Sequence, residues 1–282
     1  MRITVASGKG GTGKTTVAVS LALALALRSE ESVQLVDADV EEPNAHLFLK
    51  PHIDTSRPVE KRLPRVDEVR CDRCGACVAA CEFNALALLG KRLLVYGELC
   101  HGCGRCGLVC PRDAIREVPH GLGVVETGTA RGLRFAQGRL KVGESMATPV
   151  VQALKEEIVT DGTIIVDAPP GTGCPTIAAL QGADLALLVT EPTPFGLHDL
   201  RAAVEVTRKL RVPAAVIVNR TGIGDGGVEV YCRAEGLPIV LSIPFDRAIA
   251  AAYAVGEPLV DALPGWRARF AALGRRLTRQ PA

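Results

Sequence analysis

The chain has 282 residues, 48% of them hydrophobic and only 4% aromatic, so a sizeable core of aliphatic side chains is available. Its 33 basic and 31 acidic residues give a formal charge of +2, which argues against bulk nucleic-acid binding. The N-terminus lacks the segments of a signal peptide, and the longest apolar stretch, residues 17–27, is too short to span a bilayer. We therefore expect a cytoplasmic protein, whose ten cysteines indicate metal ligation because disulfides are rare in that compartment.

The first elements of the chain alternate between strand and helix. Residues 3–6 predict a buried strand, residues 14–28 a helix rich in Ala and Leu, and residues 33–36 a second strand. A glycine-rich turn joins the first strand to the helix. This alternation with short turns is typical of a parallel α/β sheet.

The turn between the first strand and the helix matches the phosphate-binding pattern G-x4-G-K-S/T. Its glycines let backbone N–H groups converge on phosphate oxygens at the start of a helix. We expect Lys14 to reach the β- and γ-phosphates of ATP and Thr15 to ligate Mg²⁺. The predicted nucleotide-binding residues of this loop are Gly8, Lys9, Gly10, Gly11, Thr12, Gly13, Lys14, Thr15 and Thr16.

The pattern breaks at residues 51–70, where Pro51, Pro58, Pro64 and many charges predict a linker. The next stretch is rich in cysteine and internally repeated, so it predicts a duplicated module. We expect a small α+β ferredoxin-like domain over residues 60–118, inserted into an ATPase domain. The ATPase domain then comprises residues 1–59 and 119–282.

Each half of the module reads Cys-x2-Cys-x2-Cys-x3-Cys, the spacing of bacterial ferredoxins with two 4Fe–4S clusters. In such runs the fourth cysteine ligates the other cluster. The first predicted cluster is held by Cys71, Cys74, Cys77 and Cys110, and the second by Cys81, Cys100, Cys103 and Cys106. The alternative is a pair of zinc sites, which we disfavour because zinc ribbons carry their Cys-x2-Cys pairs far apart.

The strand and helix alternation resumes after the module, beginning with a small antiparallel hairpin predicted at residues 121–143. The module is therefore an insertion into one doubly wound, mostly parallel α/β domain. Predicted strands follow at residues 163–166, 185–190, 214–218 and 239–243, with helices between them, for example at residues 197–210.

Carboxylates follow two of the predicted strands. Asp167, at a strand end, can hold the Mg²⁺ shell, and Asp39 can orient the attacking water or accept its proton, which makes Asp39 a further Mg²⁺ candidate. The loop, the Asp37-Ala38-Asp39 turn and the Asp167-Ala168-Pro169-Pro170-Gly171 segment resemble the deviant Walker A, switch I and switch II segments of the MinD/ParA/Mrp ATPases.

This resemblance implies further roles for individual residues. Asn219 and Arg220 end a strand where the family binds adenine, and Pro244 lies in a second loop that flanks the base. Lys9 would cross the interface of an ATP-dependent homodimer and contact the partner's nucleotide. The resemblance thus makes Lys9, Lys14 and Asp39 the catalytic candidates.

Three features stand apart from these motifs. Cys174 lies within the switch II segment, where we favour a buried thiol over a cluster ligand, and Cys232 we expect to be buried in a helix. Near the C-terminus, Trp266, Phe270, Leu273 and Leu277 recur at helical spacing among five arginines. We favour a helix packed on the sheet over the alternative of a membrane-surface helix.

The whole chain resembles MinD-superfamily ATPases with an inserted ferredoxin domain. This resemblance implies ATP hydrolysis coupled to electron transfer or to iron–sulfur handling, with ATP, Mg²⁺ and two 4Fe–4S clusters as cofactors. One alternative is a positioning ATPase whose clusters are structural or sensory. Another is a carrier whose clusters are cargo. We expect a redox or iron–sulfur protein as partner, and the sequence does not identify it.

Overall fold

The computed structural model describes residues 1–27 and 32–279. The strands are β1 (Arg2–Ala6), β2 (Val33–Asp37), β3 (His52–Val66), β4 (Leu86–Leu89), β5 (Arg92–Val95), β6 (Ile115–Ala130), β7 (Leu133–Leu140), β8 (Thr163–Asp167), β9 (Leu185–Thr190), β10 (Ala214–Thr221) and β11 (Ile239–Pro244). The helices are α1 (Lys14–Ala26), α2 (Ala45–Leu49), α3 (Ala76–Ala79), α4 (Arg105–Leu108), α5 (Ala147–Lys155), α6 (Cys174–Leu180), α7 (Pro194–Leu210), α8 (Gly227–Ala234), α9 (Arg247–Ala254), α10 (Leu259–Ala262) and α11 (Pro264–Arg279).

Nine strands form one sheet in the order β11-β10-β9-β1-β8-β2-β7-β6-β3. Every neighbouring pair from β11 to β7 is parallel, and β6 and β3 add to the edge in antiparallel fashion. Helices cover both faces, so the sheet has one apolar core on each side. The predicted doubly wound, mostly parallel α/β fold is confirmed, and so is the hairpin at residues 121–143, formed by β6 and β7.

The predicted linker at residues 51–70 was wrong, because most of it is the long strand β3. β3 pairs with β6 along its whole length, with Pro58 opposite Val124 and Pro64 opposite Glu117. Proline lacks an N–H donor and is tolerated in strands that lie at the edge of a sheet, which is where β3 lies. The prolines and charges that indicated a linker are thus those of an edge strand.

The cysteine-rich segment lies between β3 and β6. These two strands continue past the end of β7 as a two-stranded ribbon, residues 60–66 and 115–121, and the module is attached to the end of that ribbon. The module holds the β4–β5 hairpin and the short helices α3 and α4. Its own small core is built on Cys77, Leu86 and Ile115.

The C-terminal helix α11 packs inside the molecule. Its Trp266, Phe270, Leu273 and Leu277 are all buried in the core on the α1 face of the sheet. α11 packs so closely against α1 that a Cβ built on Gly274 would clash with the side chain of Leu25. The packed helix that we favoured is therefore found, since the apolar face proposed for a membrane surface is already occupied.

Candidate nucleotide site and cysteine module

The glycine-rich loop lies at the carboxyl end of β1 and begins α1. Gly11 and Gly13 have φ of 76° and 96°, a left-handed conformation that glycine adopts without steric cost. The loop borders a cavity of about 500 Å³, a size typical of small-molecule sites. The predicted residues that line it are Gly10, Gly11, Gly13, Lys14, Thr15, Thr16, Asp39, Asn219, Arg220 and Pro244.

Three loop residues predicted to bind nucleotide lie outside this lining. Gly8 is packed against α7, where a Cβ would collide with the backbone carbonyl of Asp199. Thr12 is buried. Lys9 is not among the lining residues, and its Nζ lies 3.2 Å from Oε2 of Glu191.

Two buried aspartates lie together beneath the loop, and the half-buried Asp39 lies beside them at the cavity. Asp37 and Asp167 end the neighbouring strands β2 and β8 and face each other in register, and both are buried. Asp37 accepts hydrogen bonds from the backbone N–H groups of Asp39, Asn44 and Ala45, so it holds the chain that follows β2. The sequence indicated no role for Asp37, although its place at the end of a buried strand is the same signal that identified Asp167.

Burial controls the protonation of these groups. It raises the pKa of Asp167 to about 7 and that of Asp39 to about 6, in both cases against the opposing charge of Lys14. The pKa of Asp37 is also raised well above its usual value, first by burial and then by the charge of Asp167. Two buried carboxylates with a third, half-buried one beside them concentrate negative charge that a cation would neutralise.

The residues present fit a magnesium ion. Both carboxylate oxygens of Asp167 are buried, and the neighbouring Thr15 hydroxyl is their one candidate partner among the described residues, which is costly unless a cation occupies the site. The Thr15 hydroxyl lies beside Asp167 and lowers its pKa, and Asp39 lines the cavity above. These three oxygen donors have the chemistry that Mg²⁺ prefers.

The far side of the cavity combines polar groups with an apolar wall. Asn219 Nδ2 donates to the carbonyl oxygen of Thr12 at 2.7 Å, which ties β10 to the phosphate loop. Arg220 binds Oε1 of Glu191 at 2.6 Å, so Lys9 and Arg220 share one carboxylate. The apolar wall includes Phe245, which lies in the loop that the family resemblance places beside the base. It also includes Ile249 and Tyr253, which sequence reasoning missed.

The eight module cysteines divide between two cavities in the crossed sets that the spacing predicts. The distal cavity, at the end of the ribbon, is lined by Cys71, Cys74, Cys77 and Cys110, together with Ile115. The proximal cavity, which lies lower on the ribbon beside Arg62 and Pro64, is lined by Cys81, Cys100, Cys103 and Cys106. Four thiols around each cavity are the donor set of a 4Fe–4S cluster. Within the described residues, no group of three or more His, Cys, Asp or Glu is arranged to hold a single metal ion.

The thiols of each set influence one another. Burial raises the pKa of Cys77, and the neighbouring Cys71 and Cys110 raise it further. The pKa of Cys106 is raised by burial and then by Cys100 and Cys103. The two halves also repeat a contact to sulfur, since Sγ of Cys81 and of Cys110 each accepts the backbone N–H four residues later, at 3.3 Å.

The two remaining cysteines differ in burial. Cys174, expected to be buried, is exposed at the first residue of α6. The expectation failed because the Pro-Pro-Gly turn after β8 places the start of this helix outside the core. Cys232 is buried in α8 as expected, and burial raises its pKa to about 11.

The fold and the phosphate loop define a P-loop nucleotide-binding protein of the ATPase type. The chain belongs to the family described as the CobQ/CobB/MinD/ParA nucleotide binding domain, whose profile matches residues 3–259. An uncharacterized protein of Methanocaldococcus jannaschii is 30% identical over 91% of this chain and 90% of its own length. An iron-sulfur cluster carrier protein of Aquifex aeolicus is 31% identical over 36% of this chain and 32% of its own.

The same fold occurs in the septum site-determining protein MinD from Pyrococcus horikoshii, solved in complex with Mg-ADP. That structure superposes with a TM-score of 0.59 and 20% identity, over 98% of this chain and 95% of the other. Across the described residues, none of the helices is both long and apolar enough to cross a membrane.

Proposed function

We propose that this protein is a magnesium-dependent ATPase that carries two 4Fe–4S clusters and couples ATP hydrolysis to electron transfer or iron–sulfur handling. One observation carries the proposal. The two crossed cysteine sets each line a cavity. The ribbon strands β3 and β6 that carry the module belong to the same sheet as β1, the strand that precedes the phosphate loop. We also propose residues 60–118 as the inserted domain.

At the nucleotide site, each side chain has a defined task. The buried ammonium of Lys14 neutralises the β- and γ-phosphates, while Thr15, Asp39 and Asp167 would hold Mg²⁺, which supplies further neutralisation of phosphate charge. Asp39, with its pKa of about 6, is largely ionised at neutral pH and can hold the attacking water or accept its proton. Asn219, Arg220 and Pro244 bound the end of the cavity where the base would lie.

The module would carry electrons, or sense them, through clusters with complete cysteine ligation. Complete ligation favours electron transfer over a cargo role, because a carrier must release its cluster. The carrier alternative draws support from the relative named as an iron-sulfur cluster carrier, although that likeness covers only 36% of this chain. Cluster transfer to an apo-acceptor would distinguish the two.

A positioning ATPase is the remaining alternative, and it draws only on the fold shared with MinD. Nucleotide-dependent binding to membranes or to polymers would favour it. If the protein transfers electrons, a redox partner should instead co-purify with it under anoxic conditions, in a manner that depends on ATP.

The proposal is tested by analysis of anaerobically purified protein. We expect about eight iron and eight sulfide per chain, since two full cysteine sets are present.

Asp39→Ala should keep ATP binding and lose hydrolysis, whereas Lys14→Ala should lose binding itself because it removes the main phosphate cation. Stoichiometric zinc without sulfide would contradict the cluster assignment, and a wild-type hydrolysis rate in Asp39→Ala would contradict the role of Asp39.

A further inference from the structure

A buried lysine lies between the cysteine module and the main sheet. Lys61, on β3, is 9% exposed. Its Nζ donates to the carbonyl oxygen of Gly97 at 2.8 Å and lies 3.1 Å from Sδ of Met146, the residue that precedes α5. Neither partner carries a negative charge. A buried ammonium without a counter-charge is costly, so this arrangement calls for an anion nearby.

One carboxylate close to this part of the ribbon, that of Glu144 in the β7–α5 connection, is already paired with a ribbon histidine. His120 lies directly opposite Lys61 in the β3–β6 register, so the two side chains leave the same face. Nε2 of His120 lies 2.7 Å from Oε1 of Glu144. In the part of the chain that the structure describes, no carboxylate comes within ion-pair distance of Lys61.

The loop that begins the second cysteine run packs against this lysine. The carbonyl of Gly97 that binds Lys61 also accepts the N–H of Cys100 at 3.2 Å. A Cβ built on Gly102, which has φ of +68°, would lie 3.6 Å from Cβ of Lys61 and 3.0 Å from the backbone oxygen of Arg62. The ammonium is therefore attached to the turn that places two ligands of the proximal cavity.

The distal cavity has no comparable cation among the described residues. It lies at the far end of the ribbon, and the charged side chains in its wall, such as Arg73 and Arg112, are exposed to solvent. Arg112 is also paired with Asp72. Exposed charges are screened by water and salt, and a buried charge much less so. The proximal wall also carries exposed charges, those of Arg62, Arg105 and Glu117. The buried Lys61, which lies behind the Gly97 turn and outside the wall itself, is therefore the charge that distinguishes the surroundings of the two cavities.

We propose that Lys61 is a positioning residue that supplies the counter-charge of the proximal cluster and holds its reduction potential above that of the distal cluster. The inference rests on the proposed function, since it requires both clusters. Each cluster takes up one electron on reduction and becomes one unit more negative, so a fixed buried cation favours the reduced form. An electron that enters the module therefore comes to rest on the cluster nearer the main sheet.

The test is a redox titration of the anaerobically purified full chain, with dithionite as the electron donor and EPR detection of the reduced clusters. Lys61→Met removes the charge and keeps the aliphatic stem, whereas Lys61→Gln keeps a hydrogen-bond donor without charge. Both should lower one midpoint by more than the equivalent of a tenfold change, which is 59 mV for one electron. Lys61→Arg keeps the charge and should leave both midpoints unchanged. Arg65→Met, the control at an exposed cation of the same strand, should also leave them unchanged.

The midpoint that moves must belong to the proximal cluster, whose signal Cys103→Ser identifies. Unchanged midpoints in both neutral variants, or a shift in the signal altered by Cys74→Ser, would overturn the inference. Loss of the proximal cluster alone in both neutral variants, with retention in Lys61→Arg, would support it. Loss of both clusters in all three variants would overturn it in favour of a purely structural lysine. If the wild-type chain contains no iron and sulfide, the proposed function itself is contradicted, and this outcome is distinct from a failure of the role of Lys61.

Discussion

Two buried aspartates and the half-buried Asp39 shape the nucleotide site before any ligand binds. Asp37 accepts hydrogen bonds from three backbone N–H groups and so fixes the segment that carries Asp39. The buried carboxylate of Asp167 has only the Thr15 hydroxyl beside it among the described residues. One aspartate thus organises the chain and the other two are left for the cation. Because the usual pKa of these carboxyls is near 3.8, their burial in one cluster makes the ligand-free protein sensitive to pH.

The sign of this sensitivity follows from the raised pKa values of Asp167, about 7, and Asp39, about 6. In the unfolded chain both groups ionise near pH 4, so between pH 4 and 7 the folded protein holds protons that the unfolded chain has released. The free energy of unfolding should therefore fall as the pH rises through this window. Asp167→Asn should flatten the fall and stabilise the ligand-free protein at pH 8 by roughly 1–3 kcal/mol.

Urea titrations at a series of pH values, without nucleotide or Mg²⁺, measure this effect. Mg-ADP added to the wild type serves as the control, because a bound cation should remove the penalty that the substitution removes. An identical pH dependence in the wild type and in Asp167→Asn would show that the buried carboxylates do not carry this cost.

The ion pair between Lys9 and Glu191 bears on the predicted dimer. The ion pair holds Lys9 within its own chain in the ligand-free state, and Lys9 remains about one-third exposed at 33%. We predict an ATP-dependent homodimer, clearest in Asp39→Ala where hydrolysis is blocked, and its loss in Lys9→Ala. Light scattering measures the mass, and Lys209→Ala, at an exposed lysine near the end of α7, is the control. A single mass with and without ATP, in wild type and Asp39→Ala alike, would refute the dimer.

At the scale of elements, α11 contributes four large buried side chains to the apolar core on the α1 face of the sheet. Phe270 is fully buried and lies 6.1 Å from Trp266, measured between ring centroids. Phe270→Ala should lower the free energy of unfolding by about 3–5 kcal/mol, the usual cost of removing a buried aromatic ring. Phe195→Ala is the matched control, since Phe195 is 80% exposed and should change stability by less than about 0.5 kcal/mol.

Chemical denaturation of the wild type and both variants measures these differences. A loss in Phe270→Ala no larger than in Phe195→Ala would mean that α11 does not contribute to the core as its burial indicates. It would also restore the interpretation of this helix as a surface element.

Sequence patterns predict some elements of this protein better than others. The strands β1, β2, β8, β9, β10 and β11 appear within a few residues of their predicted ranges, because parallel strands buried on both faces are short, apolar runs. β3 was missed because an edge strand tolerates proline and charge, so its composition is that of a loop. The helices α2 and α10 are too short to produce a periodic pattern.

The same limits apply to the site. The phosphate loop and the cysteine runs are local, so their spacing alone indicates which residues come together. Glu191 and the apolar residues Ile249 and Tyr253 were missed because their partners are distant in sequence. Glu191 follows the end of β9, so a search for carboxylates at strand ends would have found it.

At the scale of the whole molecule, the nucleotide site and the module are joined by a continuous set of contacts. The carbonyl of Val40, next to Asp39, accepts the N–H of Leu140 at 2.7 Å. The β7–α5 connection, residues 141–146, then reaches the ribbon through Glu144 and Met146, which contact His120 and Lys61. A movement of the Asp39 segment on loss of the γ-phosphate would therefore displace groups beside the proximal cavity.

Such coupling is the central claim, and one measurement tests it most directly. The clusters are titrated without nucleotide, with ADP and with a non-hydrolysable ATP analogue, and ATP affinity is measured for oxidised and reduced protein. Coupling free energies of about 1–3 kcal/mol predict midpoint shifts of roughly 40–130 mV for one electron. Linkage requires that reduction change ATP affinity by the matching factor. Identical midpoints in all three states, with identical ATP affinity in both redox states, would contradict the claim.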